Sequence, residues 1–313
     1  MIPLSDIRAS AKRIEAMIRR TPMLAMAGLK SPLPGRGTVV LKLESLQVTG
    51  SFKARGATSK LTSLPPDRLK RGIITASGGN HGIAVAYAGF LAKVPTTIYV
   101  PEGVSPLKAE KIKGYGATLA VTGRHWSESN TSALAHAGRD GLTYFHPFAD
   151  NAVMAGQGTL GLEILAEDPA IDTFIVAIGG GGLIAGMASA IRQLKPTARV
   201  IGVEPVGAPT LHDSLKAGKV VTLPAIETSV LTLAASRTDE MNFAIIRDTV
   251  EKVVLITDDD MRAAAEFLWM ELGVAADLSG AAGMAAILAG KYAPDPGERV
   301  CVLVCGAGPD GIA

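Results

Sequence analysis

Cysteine is scarce in this 313-residue chain: Cys301 and Cys305 are its only two. Both fall in one apolar run, RVCVLVC. As a strand, that run holds them roughly 13 Å apart, beyond the reach of a disulfide. A disulfide scaffold is excluded, and a reducing compartment is the simplest setting. Aromatic residues are 4% of the chain, too few for a base-stacking platform. Charge of one sign is also missing, since 31 Lys+Arg face 29 Asp+Glu for a net +2. No basic stripe points to nucleic acid, and no acidic tail points to a charged partner. The longest uncharged stretch, Phe174 to Ile191, carries four consecutive glycines and reads as strand, loop and helix rather than a membrane span. The N-terminus is amphipathic and charged, with no apolar signal core. A cytoplasmic protein is expected, without nucleic-acid or membrane partners.

What the chain does have is alternation. Short β-branched runs (TVVLKLE, GIITAS, TTIYVP, ATLAVTG, LTYFH, TFIVAIG, RVIGVE, EKVVLITD, RVCVLVC) are separated by Ala-rich stretches with helical spacing, such as HGIAVAYAGFLAKV and DMRAAAEFLWMEL. This order predicts an α/β fold with parallel-rich sheets flanked by helices, and ligands at the strand carboxyl ends. No internal repeat or low-complexity linker marks a domain boundary.

Four segments could carry chemistry. In TVVLKLESLQVTGSFKARGA, Ser51 reads as a helix N-cap and Lys53 falls in the first turn. The helix dipole disfavours a cation there, which lowers a lysine pKa and favours a neutral, nucleophilic amine. A solvated lysine is the bland alternative. In GIITASGGNHGIAVAYAG, Ser77-Gly78-Gly79-Asn80-His81-Gly82 links a strand to a helix. Bare glycines at a helix start offer backbone N–H groups to an anion, and the alternative is a plain turn with Asn80 as N-cap. His81 reads as structural. In TFIVAIGGGGLIAGM, Gly179, Gly180, Gly181, Gly182 and Leu183 suit a phosphate cradle. The same loop satisfies G-x-G-x-x-A, with Glu204 closing the next strand near a ribose-binding position, so a nicotinamide-dependent oxidoreductase is a rival. Finally, the last strand delivers Cys305 to its carboxyl end, either as core or facing a ligand.

In their order along the chain these segments are more specific than any one alone. Gln47 to Ala57, then SGGNHG, HPFADNAVMAGQGTLGLEI, GGGGL and a terminal Cys-Gly together resemble the fold type II pyridoxal-phosphate (PLP) enzymes, in particular the threonine/serine dehydratase and serine racemase branch. The resemblance runs from Arg20-Thr21-Pro22 almost to the C-terminus. It implies a two-domain α/β fold: a large PLP-binding domain at 1–71 and 150–313, and a small domain at 72–149. Lys53 would carry PLP as a Schiff base, Phe52 would flank the ring, and Asn80 would donate to its 3-oxygen. Gly179 to Gly182 and Leu183 would hold the phosphate, and Cys305 would face the pyridine nitrogen. Ser77, Gly79, Asn80 and His81 would receive the substrate carboxylate.

The implied activity is β-elimination from a β-hydroxy amino acid such as L-threonine or L-serine, giving a 2-oxo acid and ammonia. A racemase of the same family is the nearest alternative. A non-catalytic amino-acid-binding protein is another, opposed by the intact Lys53 and Asn80. A homodimer is implied, and no C-terminal regulatory domain is expected beyond Ala313. Three departures stand out. The family's divalent-cation site retains Glu204 and Ala208, but Thr210 stands where an Asp is usual, so a monovalent ion or a weakened divalent site is expected. Asp277-Leu278-Ser279-Gly280-Ala281 replaces Glu-Pro-Ser-Gly-Ala. Val230-Leu231-Thr232 replaces Ala-Asp-Gly.

Overall fold

A computed structural model describes residues 1–308. The chain runs α1 (Leu4–Ile14), β1 (Met23–Ala25), β2 (Thr38–Leu43), α2 (Lys53–Ser63), α3 (Pro66–Leu69), β3 (Ile73–Ala76), α4 (Asn80–Ala92), β4 (Thr96–Val100), α5 (Pro106–Gly114), β5 (Thr118–Val121), α6 (Trp126–Asp140), β6 (Thr143–Tyr144), α7 (Asn151–Glu167), β7 (Thr173–Ala177), α8 (Gly182–Leu194), β8 (Arg199–Pro205), α9 (Thr210–Ala217), α10 (Glu240–Thr249), β9 (Lys252–Ile256), α11 (Asp258–Leu272), α12 (Leu278–Leu288) and β10 (Arg299–Val304). Two one-turn helices, Glu44–Leu46 and Val48–Gly50, connect β2 to α2. No helix among the described residues is long and apolar enough to cross a membrane.

The strands form two sheets, ordered β1-β2-β10-β7-β8-β9 and β5-β4-β3-β6. Every pairing is parallel except β1 with β2. Strands buried on both faces read as continuous apolar runs, which is why TFIVA of β7 and VCVLV of β10 contain no charge. The nine expected strands all form, although LTYFH contributes only Thr143 and Tyr144 to β6. The tenth, β1, is three residues long and pairs at an edge.

The two sheets have separate apolar cores, and α2 serves both. Ala57 and Leu61 pack with Ile73, Val85 and Ile98 around the four-stranded sheet. Arg55, on the same helix, is fixed to the elements around the six-stranded sheet by ion pairs. Its Nε and Nη2 each lie 2.8 Å from the Glu44 carboxylate, and Nη2 lies 2.8 Å from Glu163 on α7. Lys42 adds a second cation, donating to Glu163 Oε1 and the Thr21 carbonyl at 2.6 Å each. Burial alone would lower the Arg55 pKa, but the Glu44 and Glu163 charges outweigh it and raise it.

Because Glu44 and Arg55 are both fully enclosed, removing Glu44 leaves the buried Arg55 charge with Glu163 alone, and breaking a buried pair in this way costs about 3–5 kcal/mol. Glu44→Ala is expected to lower the unfolding free energy by about that amount in a denaturant titration. The double variant Glu44→Ala/Arg55→Met should recover part of the loss. Equal losses in the single and double variants would show that the pair is not what secures α2.

Candidate active site

The carboxyl ends of β3, β7 and β10 converge on the start of α2. Ser51, expected as its N-cap, is instead extended and bridges to Gly306 just past β10. Phe52 takes the cap position with helical dihedrals, and its N–H donates to the Cys305 carbonyl at 3.1 Å. The ladder to β10 claims the Ser51 backbone, and its buried hydroxyl has no partner among the described residues. Lys53 therefore begins the helix. Its amine sits over the Phe52 ring, 5.2 Å from the centroid, and donates to the Pro147 carbonyl at 2.7 Å.

Among the described residues no carboxylate pairs with this amine. Burial depresses its pKa to about 8, which the nearby Cys305 only partly offsets. The Cys305 thiol is buried, donates to the Ser279 carbonyl at 3.4 Å and has its pKa pushed up by desolvation and then by Asp277, so it is neutral.

Two bare helix starts flank the amine. In the first, Gly79 is the N-cap of α4 and offers no side chain, so Asn80 is not the cap. Ser77 Oγ accepts from the Gly79 N–H at 3.2 Å. Asn80 Nδ2 donates to Asp277 Oδ2 at 2.9 Å, and a β-carbon on Gly306 would crowd both. The His81 ring is buried within 3.1 Å of the Phe145 carbonyl, and burial drops its pKa to about 3. Its side chain is thus neutral and structural, while its backbone N–H belongs to the open first turn of α4.

In the second, Gly181 is the N-cap of α8, with φ +89° and no side-chain cap; the first bond runs from the Ala185 N–H to the Gly181 carbonyl. Packing accounts for part of the glycine run, since a β-carbon on Gly180 or Gly182 would overlap Phe148 and one on Gly179 would lie 2.9 Å from the Thr232 carbonyl. It does not account for a helix start that no side chain caps. A buried, uncharged-tending amine beside a glycine cradle fits an aldehyde cofactor that carries a phosphate.

A family model described as "Pyridoxal-phosphate dependent enzyme" matches residues 14–306. The chain belongs to that family. It is 39% identical to an L-threonine ammonia-lyase of Geobacter sulfurreducens over 97% of this chain and 75% of the relative. It is 35% identical to a phenylserine dehydratase of Ralstonia pickettii over 98% and 93%. The solved structure of maize serine racemase superposes with TM-score 0.90 at 31% identity, covering 97% of this chain and 93% of that one. The fold is that of the fold type II PLP enzymes, and PLP is the cofactor. The nicotinamide reading is overturned on this ground and by Glu204. Both its oxygens accept backbone N–H groups, from Leu211 and His212 at 2.8 Å, so it caps α9 and cannot meet a ribose.

The same geometry bears on the cation site. Glu204 is enclosed, and burial raises its pKa to about 8. The Ala208 carbonyl accepts from the Thr210 N–H at 2.9 Å, and the Thr210 hydroxyl is turned to the Ala235 carbonyl. No cluster of three or more His, Cys, Asp or Glu residues suited to a metal occurs among the described residues. Ala208 and Thr210 thus bond to each other, while the Glu204 carboxylate is taken by the first turn of α9.

Four residues at the site have no role assigned to them from the sequence: Pro147, Asp277, Thr238 and Asn242. The last two both donate to the Gly180 carbonyl, at 3.1 and 2.8 Å.

Two outcomes are expected here. A neutral amine is the nucleophile, so PLP capture by the apo-protein should accelerate as pH rises through about 8, far below the ordinary lysine range. Stopped-flow absorbance across pH 6.5–10 (about the usable range) reads this midpoint. A midpoint above 10 would show a solvated Lys53, and Lys53→Ala should abolish borohydride-stable labelling. Second, EDTA should leave turnover unchanged, because the Glu204 carboxylate already has two donors. Activity that disappears with EDTA and returns only with Mg²⁺ would contradict that assignment.

Proposed function

We propose that this protein is a PLP-dependent ammonia-lyase acting on a β-hydroxy amino acid, L-serine, L-threonine or a bulkier homologue. The observation that carries this reading is a single amine, Lys53 Nζ, held without a counter-charge among the described residues and between two uncapped helix starts. The ammonia-lyase and dehydratase relatives support the same chemistry.

When bound, PLP supplies the electron sink. The residues around it divide the remaining work. The α8 start, Gly179 to Gly182 with Leu183, receives the phosphate through backbone N–H groups. Phe52 lies against one face of the ring. Asn80, already oriented by Asp277, has a second amide hydrogen for the 3-oxygen. The α4 start, with Ser77, Gly79, Asn80 and the His81 N–H, receives the substrate carboxylate. Lys53, as a free amine, takes the proton from the substrate's α-carbon. Cys305 stays a neutral thiol at the ring nitrogen. The β-hydroxyl would leave as water with the proton that Lys53 removed, giving an enamine that water converts to a 2-oxo acid and ammonia.

The small domain in this reading is 72–149, supported by the four-stranded sheet lying between residues 73 and 144. Residues 309–313, at the end of the large domain, lie outside the described residues. The protein would act in the cytoplasm as a homodimer, which the resemblance to the dehydratases supports and sedimentation velocity tests.

Racemisation needs a proton donor on the ring face away from Lys53. The serine that would supply it falls at Gly78. A β-carbon added there would lie 3.0 Å from Val104 Cγ2, so a side chain at this position is crowded unless Val104 shifts. With L-serine, pyruvate is expected to form at least about tenfold faster than D-serine, the share of a well-placed general acid being 10²–10⁴. Gly78→Ser alone should raise D-serine little, whereas Gly78→Ser/Val104→Ala should raise it clearly. Chiral chromatography of one reaction mixture reads both products. D-serine matching pyruvate in the unmodified protein would make racemisation the better reading.

A further inference from the structure

We infer that Asn242 and Thr238 are positioning residues for the cofactor phosphate, acting through the Gly180–Gly181 peptide. Two donors converge on one carbonyl. Asn242 Nδ2 lies 2.8 Å and Thr238 Oγ1 3.1 Å from Gly180 O, and both residues are buried. A carbonyl oxygen has two lone pairs, so this acceptor is filled.

The consequence lies on the other side of the peptide. The Gly180–Gly181 unit is planar and trans, so its C=O and N–H point in opposite directions. Fixing Gly180 O toward α10 fixes the Gly181 N–H away from α10, toward the open start of α8. A run of four glycines has little stiffness of its own and could turn this peptide over at small cost. Gly181 contributes one further restraint: at φ +89° it faces Ile246 Cδ1 and Leu211 Cδ1, each 3.0 Å from where its β-carbon would stand. Those contacts limit the residue type without choosing the direction of the N–H. The two hydrogen bonds make that choice.

The anchor is rigid. Asp239 caps α10, accepting from the Met241 N–H, and Phe243, Ile245 and Ile246 seat the helix in the large core. Thr238 and Asn242 stand on either side of that cap, four residues apart, and reach the same atom. Asn242 Oδ1 finds no donor among the described residues. An unpaired buried amide oxygen is costly, so Asn242 is retained for what its N–H₂ does. Neither residue need touch the phosphate.

This inference rests on assigning Gly179 to Leu183 to the phosphate, and pyridoxal, which lacks the phosphate, separates the two. Equilibrium dialysis of apo-protein measures affinity for PLP and for pyridoxal in the unmodified chain and in Asn242→Ala, Thr238→Val and Thr238→Ser. The expected result is PLP affinity about tenfold lower in Asn242→Ala and in Thr238→Val, near normal in Thr238→Ser, and pyridoxal affinity unchanged throughout. Should Asn242→Ala not fold, the Thr238→Val and Thr238→Ser pair decides alone. PLP affinity unaltered by the substitutions, or pyridoxal weakened as much as PLP, overturns the inference. An unmodified protein that binds PLP no better than pyridoxal removes the phosphate assignment itself.

Discussion

Lys53 and Arg55 are cations two residues apart at the head of one helix, and the protein treats them oppositely. Arg55 is given two carboxylates and is enclosed with them, so its charge is permanent. Lys53 is given a carbonyl, an aromatic face and a neutral thiol, so its charge is expensive. In water both side chains would be protonated at neutral pH. The difference arises from what each meets on folding: a guanidinium fork matches Glu44 and Glu163, while a point-charge ammonium loses hydration and gains little. The stabilised charge holds the helix, and the destabilised one becomes the reactive group. Since α2 also lends Ala57 and Leu61 to the other core, the position of the amine is set from both sheets at once.

Two anion-receptive helix starts on either side of that amine follow from the parallel sheets. Each parallel strand must be followed by a crossover, and its helix begins where the strand ends. The starts of α4, after β3, and α8, after β7, therefore point N–H groups at the region where Lys53 lies. Some helices here fill that end with a side chain: α7, α10, α11 and α12 are capped by Asp150, Asp239, Thr257 and Asp277. Glycine at the α4 and α8 caps leaves the donors free for something that is not protein.

What was legible in the sequence was local. Glycine runs after apolar strands, the lysine at a helix start and the alternation of strands and helices are all contained in windows of about twenty residues. What was not legible depends on which distant residue arrives. The acceptor for Lys53 is 94 residues away at Pro147, and the acceptor for Asn80 is 197 away at Asp277. Thr238 and Asn242 meet Gly180 across about sixty residues, and nothing local in the sequence names Gly180 as their acceptor. Glu204 shows the limit most clearly. An acid at the end of a strand before a helix can hold a metal, bind a ribose or cap the helix, and only the direction of its carboxylate distinguishes the three. Ser51 failed for a related reason: a serine before a helix is a good cap until a neighbouring strand claims its backbone.

The two ends of the site also decide how long charge can persist on a substrate. At the ring-nitrogen side, Cys305 is buried next to Asp277, whose negative charge further discourages ionisation of the thiol. Asp277 itself accepts from Asn80, Ser279 and the Gly280 N–H, so its charge is already engaged by donors of the protein. An electron sink without a charged partner at its nitrogen accepts less negative charge from the α-carbon. In the proposed reading Gly78, having no side chain, would return no proton on the opposite face. A substrate deprotonated by Lys53 can then recapture its proton from the same side or expel a leaving group. With a hydroxyl on the β-carbon, the second route is open and drains the first, so a neutral thiol and a missing side chain together bias one shared scaffold toward elimination.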